Sequence, residues 1–239
     1  MNEILKKIFE RIYFWIGNLY RFLTAIFFLR RVKFNQCRTY FGVSFDNQKP
    51  AHHIIKTLKQ YDSNPSINYK DTTMYEHLKY FQPESISQFV KNTPKEDYLP
   101  LFVYPWGTFK KNKNFSKKSV ETSRFCGPST DKFIENEFKH TIYLYNKLKN
   151  EGYRPWRNFN RHIGGTFLID ENNRKSFVVT QGNHRMAILS HINKNQKISV
   201  RNVPGFKHSI YKSELSSWFM VQNQQCSPKH AEDIFNLFF

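Results

Sequence analysis

The apolar run Ser176-Phe177-Val178-Val179-Thr180 passes through Gly182-Asn183-His184-Arg185 straight into a second apolar run, Met186-Ala187-Ile188-Leu189. Aromatic and β-branched residues in the first run predict a strand, and the second run predicts a helix. A strand that ends in glycine and turns at once into a helix leaves backbone N–H groups free at the positive end of the helix dipole. That arrangement suits an anion. Arg185 adds a planar fork that matches phosphate oxygens, and His184 adds a charge that pH can switch. The same four residues also fit a plain strand-to-helix turn with Arg185 in a structural salt bridge.

Charge supports an anionic partner. The chain of 239 residues carries a net charge of +18, so nucleic acid, an anionic lipid surface and a phosphorylated substrate are all open. Aromatic and apolar content is high enough for a packed core, which excludes a disordered chain. Cys37, Cys126 and Cys226 are odd in number and widely spaced, so no disulfide framework or zinc pattern is expected. A reducing compartment follows. His52 and His53 read as helix-start residues and not metal ligands, because no Asp, Glu or Cys stands at ligand spacing. No metal site is predicted.

Residues 3–29 place apolar side chains such as Ile8, Ile12, Trp15, Leu19 and Phe22 on one helical face. Arg30, Arg31 and Lys33 close the segment with positive charge. Asn18 and Arg21 fall at the centre of the apolar run, where a spanning helix tolerates charge poorly. No small-residue cleavage site marks a signal peptide. An in-plane helix on an anionic membrane surface fits this pattern, and a helix docked on the protein's own core is the other reading. The expected organisation is an amphipathic helix over 1–33, a mixed segment over 34–98, a domain over 99–205 and C-terminal helices over 206–239. The protein is expected to be cytoplasmic and peripheral to the membrane.

Further along, a strand is predicted around Thr39–Phe45, a helix over His53–Tyr61 and a short helix over Ser85–Val90. Lys110, Lys111, Lys113, Lys117 and Lys118 form a basic loop, read either as a solvated face or as an electrostatic lip. Ser123–Ser129 reads as a short strand. Asp131–Asn150 reads as a long helix, capped by Ser129 or Thr130 and stopped by Gly152. Thr166–Asp170 and Ser176–Thr180 should pair as a hairpin, with Asp170 and Glu171 in its turn. Ile198–Val203 is the last strand, and Ser213–Gln224 and Lys229–Phe239 are the last helices.

The order helix, Gly152 turn, hairpin, Gly182-Asn183-His184-Arg185, helix, strand resembles the ParB/sulfiredoxin-like superfamily. The likeness rests on Asn150-Glu151-Gly152-Tyr153-Arg154-Pro155 and on Phe177 through Leu189, and it spans about residues 120–205. It implies an α+β fold, a small mixed sheet with flanking helices, here preceded by the amphipathic helix. It further implies a nucleotide di- or triphosphate with Mg²⁺ as ligand. Gly182, Asn183, His184 and Arg185 would cradle the phosphates, and Ser123 and Arg124 would assist. Glu135 and Glu137 lie where kinases of this fold carry a catalytic glutamate, although both also read as solubilising residues on a helix face. Asn183 stands where sulfiredoxins carry their nucleophilic Cys, which argues against that chemistry. Pro204–Phe239 leaves little room for the helix-turn-helix of the partition clamps.

Three functions follow as expectations. One is a phosphotransferase or nucleotide hydrolase at a membrane surface, acting on a small or glycan-type hydroxyl. Another is a non-catalytic module that binds a nucleotide or sugar-phosphate. The third, nucleic-acid binding, rests on net charge and on the basic-aromatic run Tyr153–Arg161, with no recognised reading motif beside it.

Overall fold

The computed structural model describes residues 29–46, 52–90, 99–107, 124–155, 162–193, 197–203 and 207–239. In chain order the strands and helices are β1 (Leu29–Lys33), β2 (Cys37–Arg38), α1 (His53–Ser63), α2 (Thr73–Tyr80), α3 (Asp131–Glu151), β3 (Ile163–Ile169), β4 (Lys175–Gln181), α4 (Asn183–Ile192), β5 (Lys197–Asn202), β6 (Ser209–Tyr211), α5 (Phe219–Gln222) and α6 (Pro228–Asn236). The described fold is mixed α/β around one mixed sheet of six strands.

The strand order is β1-β5-β3-β4-β2, with β6 continuing the β5 edge of β3. β3 and β4 form the expected antiparallel hairpin, with Phe167 opposite Phe177. Its turn is held by Asp170, whose Oδ1 accepts from the amides of Asn172 and Arg174 at 2.9 and 2.8 Å. β5 runs parallel to β3 and β1 antiparallel to β5. One row across the sheet therefore reads Leu29, Arg201, Gly164, Gln181.

Successive side chains on a strand face opposite ways, so β4 serves two cores. Phe177 and Val179 join Val32, Ile163 and Val200 against α1, α3 and α4. Val178 and Leu168 join Ile210, Trp218 and Phe235 on the other side. With both faces covered, β4 has no polar face, which is why its middle is continuously apolar. Fully burying a side chain such as Phe177 or Val179 contributes about 1.5–3 kcal/mol. α4 shows the same logic: Met186, Ala187, Ile188, Leu189 and Ser190 are all buried.

α3 matches its sequence signals closely. Thr130 Oγ1 accepts from the Phe133 amide at 3.3 Å, and the Gly152 N–H reaches the Leu148 carbonyl at 3.0 Å. Elsewhere local patterns were overruled. The strand expected at Thr39–Phe45 is instead the two-residue β2 followed by a turn. Gly42 there has φ +73°, and Thr39 Oγ1 accepts from the amides of Phe41 and Val43, so those donors are drawn out of any ladder. Arg124–Ser129 is not a strand either, because its amides pair with a helix end: Gly127 N–H to the Phe81 carbonyl at 2.7 Å, Ser129 N–H to that of Leu78 at 2.9 Å. Ser85–Val90 is a single 3₁₀ turn, Ile86–Phe89. The helix expected over Ser213–Gln224 is split by extended backbone at Trp218 into a 3₁₀ turn and α5.

Arg30, Arg31 and Lys33, expected to close a helix, lie on strand β1 instead, where Val32 is the buried position. Pairing with β5 outweighs local propensity there. The amphipathic helix up to residue 28 falls outside the described residues. So do Ser123, the five lysines of the basic loop, and Trp156 to Arg161. Among the described residues, no helix is long and apolar enough to cross a membrane.

Candidate functional site

Gly182 has φ +84° and caps α4 without a side-chain hydrogen bond. A β-carbon there would sit 3.3 Å from Ile163 Cγ1 and 3.5 Å from Arg185 Cζ, so the guanidinium folds back over the turn. The helical ladder of α4 starts with the Met186 N–H on the Gly182 carbonyl at 2.9 Å. The amides of Asn183, His184 and Arg185 precede that first rung.

Of the three corner side chains, those of Asn183 and His184 face the protein interior. Asn183 Nδ2 donates to the Val179 carbonyl at 3.5 Å, and its Oδ1 is buried without a hydrogen-bond partner. His184 has its side chain only 13% exposed, with Nε2 3.2 Å from Glu137 Oε2. Arg185 lies near Tyr153 together with Arg201. Burial raises the Tyr153 hydroxyl above the ordinary tyrosine value, while the Ile163 amide and these two arginines pull it back. Tyr153 OH accepts from that amide at 3.1 Å.

The two candidate glutamates separate cleanly. Glu135 is partly exposed and pairs with Lys139 at 2.5 Å, one turn along α3. Glu137 lies two residues on, about 200° around the helix, and is buried. Its Oε1 stands 3.1 Å from Arg124 Nε and its Oε2 faces His184. Burial pushes the Glu137 carboxyl up, but His184 and Arg124 outweigh it and hold the group below the ordinary glutamate value. The solubilising reading of Glu137 does not survive, since a carboxylate buried between Arg124 and His184 is not a solvated one.

The fold therefore brings together Arg124, Glu137, His184 and the first turn of α4. Arg124 is placed by its neighbours: the Phe125 carbonyl is bound by His77 Nε2 at 2.8 Å, which fixes the segment against α2. His140, three residues after Glu137 on α3, adds a ring 5.9 Å from that of His184. Burial lowers the His140 pKa, and His184 lowers it further. Sequence reasoning passed over His140, although its i+3 spacing from Glu137 places both on one face. His77 gave no signal of its own.

Behind this cluster runs a column of parallel rings. Phe45, His52, His53, His77 and Phe81 stack with successive centroid distances of 4.9, 4.4, 4.0 and 4.6 Å. His52 caps α1 as expected of a helix-start residue, its Nδ1 accepting from the Ile54 amide at 3.1 Å. Burial pushes the His52 pKa down to about 3, helped by His77 and His184, and lowers that of His53 in the same way. Among the described residues no group of three His, Cys, Asp or Glu is placed to hold a metal ion. Cys37, Cys126 and Cys226 are buried and form no disulfide.

A cavity of about 390 Å³ lies at the other end of β4, lined by Arg38, Lys175 and Phe239 among others. It shares no residue with the Gly182 corner. The corner's claim to a ligand rests on donors and charge, not on volume.

No family model matches the chain, no curated protein matches it, and no solved structure matches it.

Proposed function

We propose that this chain is a nucleotide- or phosphate-binding protein of ParB/sulfiredoxin-like type that works at a membrane surface. Its activity on this reading is phosphoryl transfer to a hydroxyl acceptor, small or glycan-type. One observation carries the proposal: Arg124 and His184 converge on a single buried carboxylate, Glu137, at the amino end of α4. Phosphoryl transfer asks a protein mainly for positioning and charge neutralisation, with a proton acceptor near the hydroxyl. Arg124, His184, Arg185 and the α4 amides supply the first two. Glu137, and not Glu135, stands where the third is needed.

Among the described residues, no group of three His, Cys, Asp or Glu is placed to hold a metal ion. Mg²⁺ would enter with the nucleotide as part of the substrate. The amphipathic segment and the net charge of +18 support membrane-surface association on the cytoplasmic side.

A second reading, a binding module without turnover, draws on the engagement of Glu137 with Arg124 and His184, which competes with any role as a base. A nucleic-acid role has less support, since most of the run Tyr153–Arg161 lies outside the described residues.

The test is a thermal-shift screen of nucleotides with and without Mg²⁺, repeated on His184→Ala and Arg185→Ala. Binding appears directly as added stability. The proposal expects a shift with a nucleotide that both variants diminish. Full retention of the shift in both variants sinks it. Binding without turnover would select the second reading.

A further inference from the structure

The Glu137 carboxylate does in the free protein what a ligand phosphate would do. It is buried, and it divides its oxygens between Arg124 and His184, from two different elements. His140 on its own helix is the third group that acts on it, and His140 in turn responds to Arg185. At the start of α1, the pKa values of His52 and His53 are lowered by burial and in part by His184. Every one of these neighbours is a cation or can become one.

We propose that Glu137 is an internal counter-ion that occupies Arg124 and His184 until a phosphorylated ligand takes them over. The exchange then releases the carboxylate as the proton acceptor for the hydroxyl. This rests on the phosphate-binding reading of the corner and adds to it the event that switches the site on. The physical basis is a reversal of balance. With Arg124 and His184 engaged, the carboxylate is a weak base. Once a phosphate has drawn them off, burial and the new negative charge both favour its protonated form. A carboxylate in that environment is a competent base near neutral pH. Arg124 has the freedom to move, since 59% of its side chain is exposed.

The step balances as follows. The acceptor O–H gives its proton to Glu137 while its oxygen bonds to the terminal phosphorus of a nucleoside triphosphate. The bond from that phosphorus to the bridging oxygen breaks, and its electron pair leaves on the nucleoside diphosphate. Glu137 later returns the proton to solvent.

The experiment uses the full chain and inorganic pyrophosphate without Mg²⁺, with the Glu137 side-chain carboxyl followed by ¹³C NMR through a pH titration. Saturation with pyrophosphate should raise the Glu137 pKa by one pH unit or more. Arg124→Gln should raise it in the free protein as well. Glu137→Gln, checked for folding by its melting curve, should bind pyrophosphate about tenfold more tightly in calorimetry, as removal of one like charge predicts. A Glu137 carboxyl that keeps its low pKa in the saturated wild-type protein overturns the inference, whether or not the Gln variant folds. A Glu137→Gln variant that folds and binds no more tightly does the same. Absence of any pyrophosphate binding by the wild-type protein refutes the phosphate reading itself, and is thereby distinguishable from failure of the counter-ion exchange alone.

Discussion

His77 Nε2 stands 2.8 Å from the Phe125 carbonyl, so a ring in the buried histidine column fixes the residue next to Arg124. This contact joins α2 to the segment that carries a charge of the candidate site. His77→Phe keeps the stacking and removes the His77 donor to that carbonyl. The expected cost is about 0.5–1.5 kcal/mol, the net worth of one such hydrogen bond. Urea unfolding of the variant measures it, and weaker pyrophosphate binding should accompany it.

The column also sets an acid limit on stability. Its histidines are neutral when folded, and burial holds His52, His53 and His77 below the ordinary value of 6.5. In the unfolded chain they titrate near that value, so between it and the folded pKa, about 3 for His52, the unfolded state binds more protons. Stability is therefore full above about pH 6.5 and falls as pH drops. Each histidine involved adds a slope of about 1.4 kcal/mol per pH unit. Urea midpoints taken from pH 7.5 down to 5 should decline steadily, and a profile flat across that range would contradict the neutral column.

Gly182→Ala tests the corner as backbone. A φ of +84° is strained for any L side chain, and the added carbon would sit tightly against Ile163 at 3.3 Å. A loss of about 1–2 kcal/mol is expected from the backbone alone. Thermal melts give the stability change, and pyrophosphate titration should show the anion affinity falling with it.

Glu135→Ala provides the contrast. Its pairing with Lys139 is a surface i,i+4 contact, worth about 0.3–0.5 kcal/mol. Stability and pyrophosphate affinity should both stay near wild type. A large loss of binding in calorimetry would mean that the site extends over the opposite face of α3.

Much of the fold could be read from particular residues. Thr130 and Gly152 bracket α3, and Asp170 with Asn173 makes the hairpin turn. β2 could not be read, because Thr39 and Gly42 divert the backbone bonds a strand there would need. The split before α5 was hidden for a similar reason, since Trp218 satisfies the second core and not a helical period. Glu137 was legible in principle. The buried positions of α3 are Ile134, Glu137, Thr141, Tyr145 and Leu148, a stripe at steps of three and four. A carboxylate in phase with that stripe must meet cations inside the fold. The identity of those cations depends on the segment of Arg124, which comes to α3 through hydrogen bonds to α2 that no local pattern encodes.

The register of β1 has a spatial consequence. Leu29 sits in the same row as Arg201, Gly164 and Gln181, three strand spacings, or about 14 Å, from the residue that precedes Gly182. The first 28 residues thus join the protein beside the row that leads into the corner, not on a distant face. A group attached at the start of β1 would therefore meet Gly182 at an effective concentration set by that short span and not by the bulk.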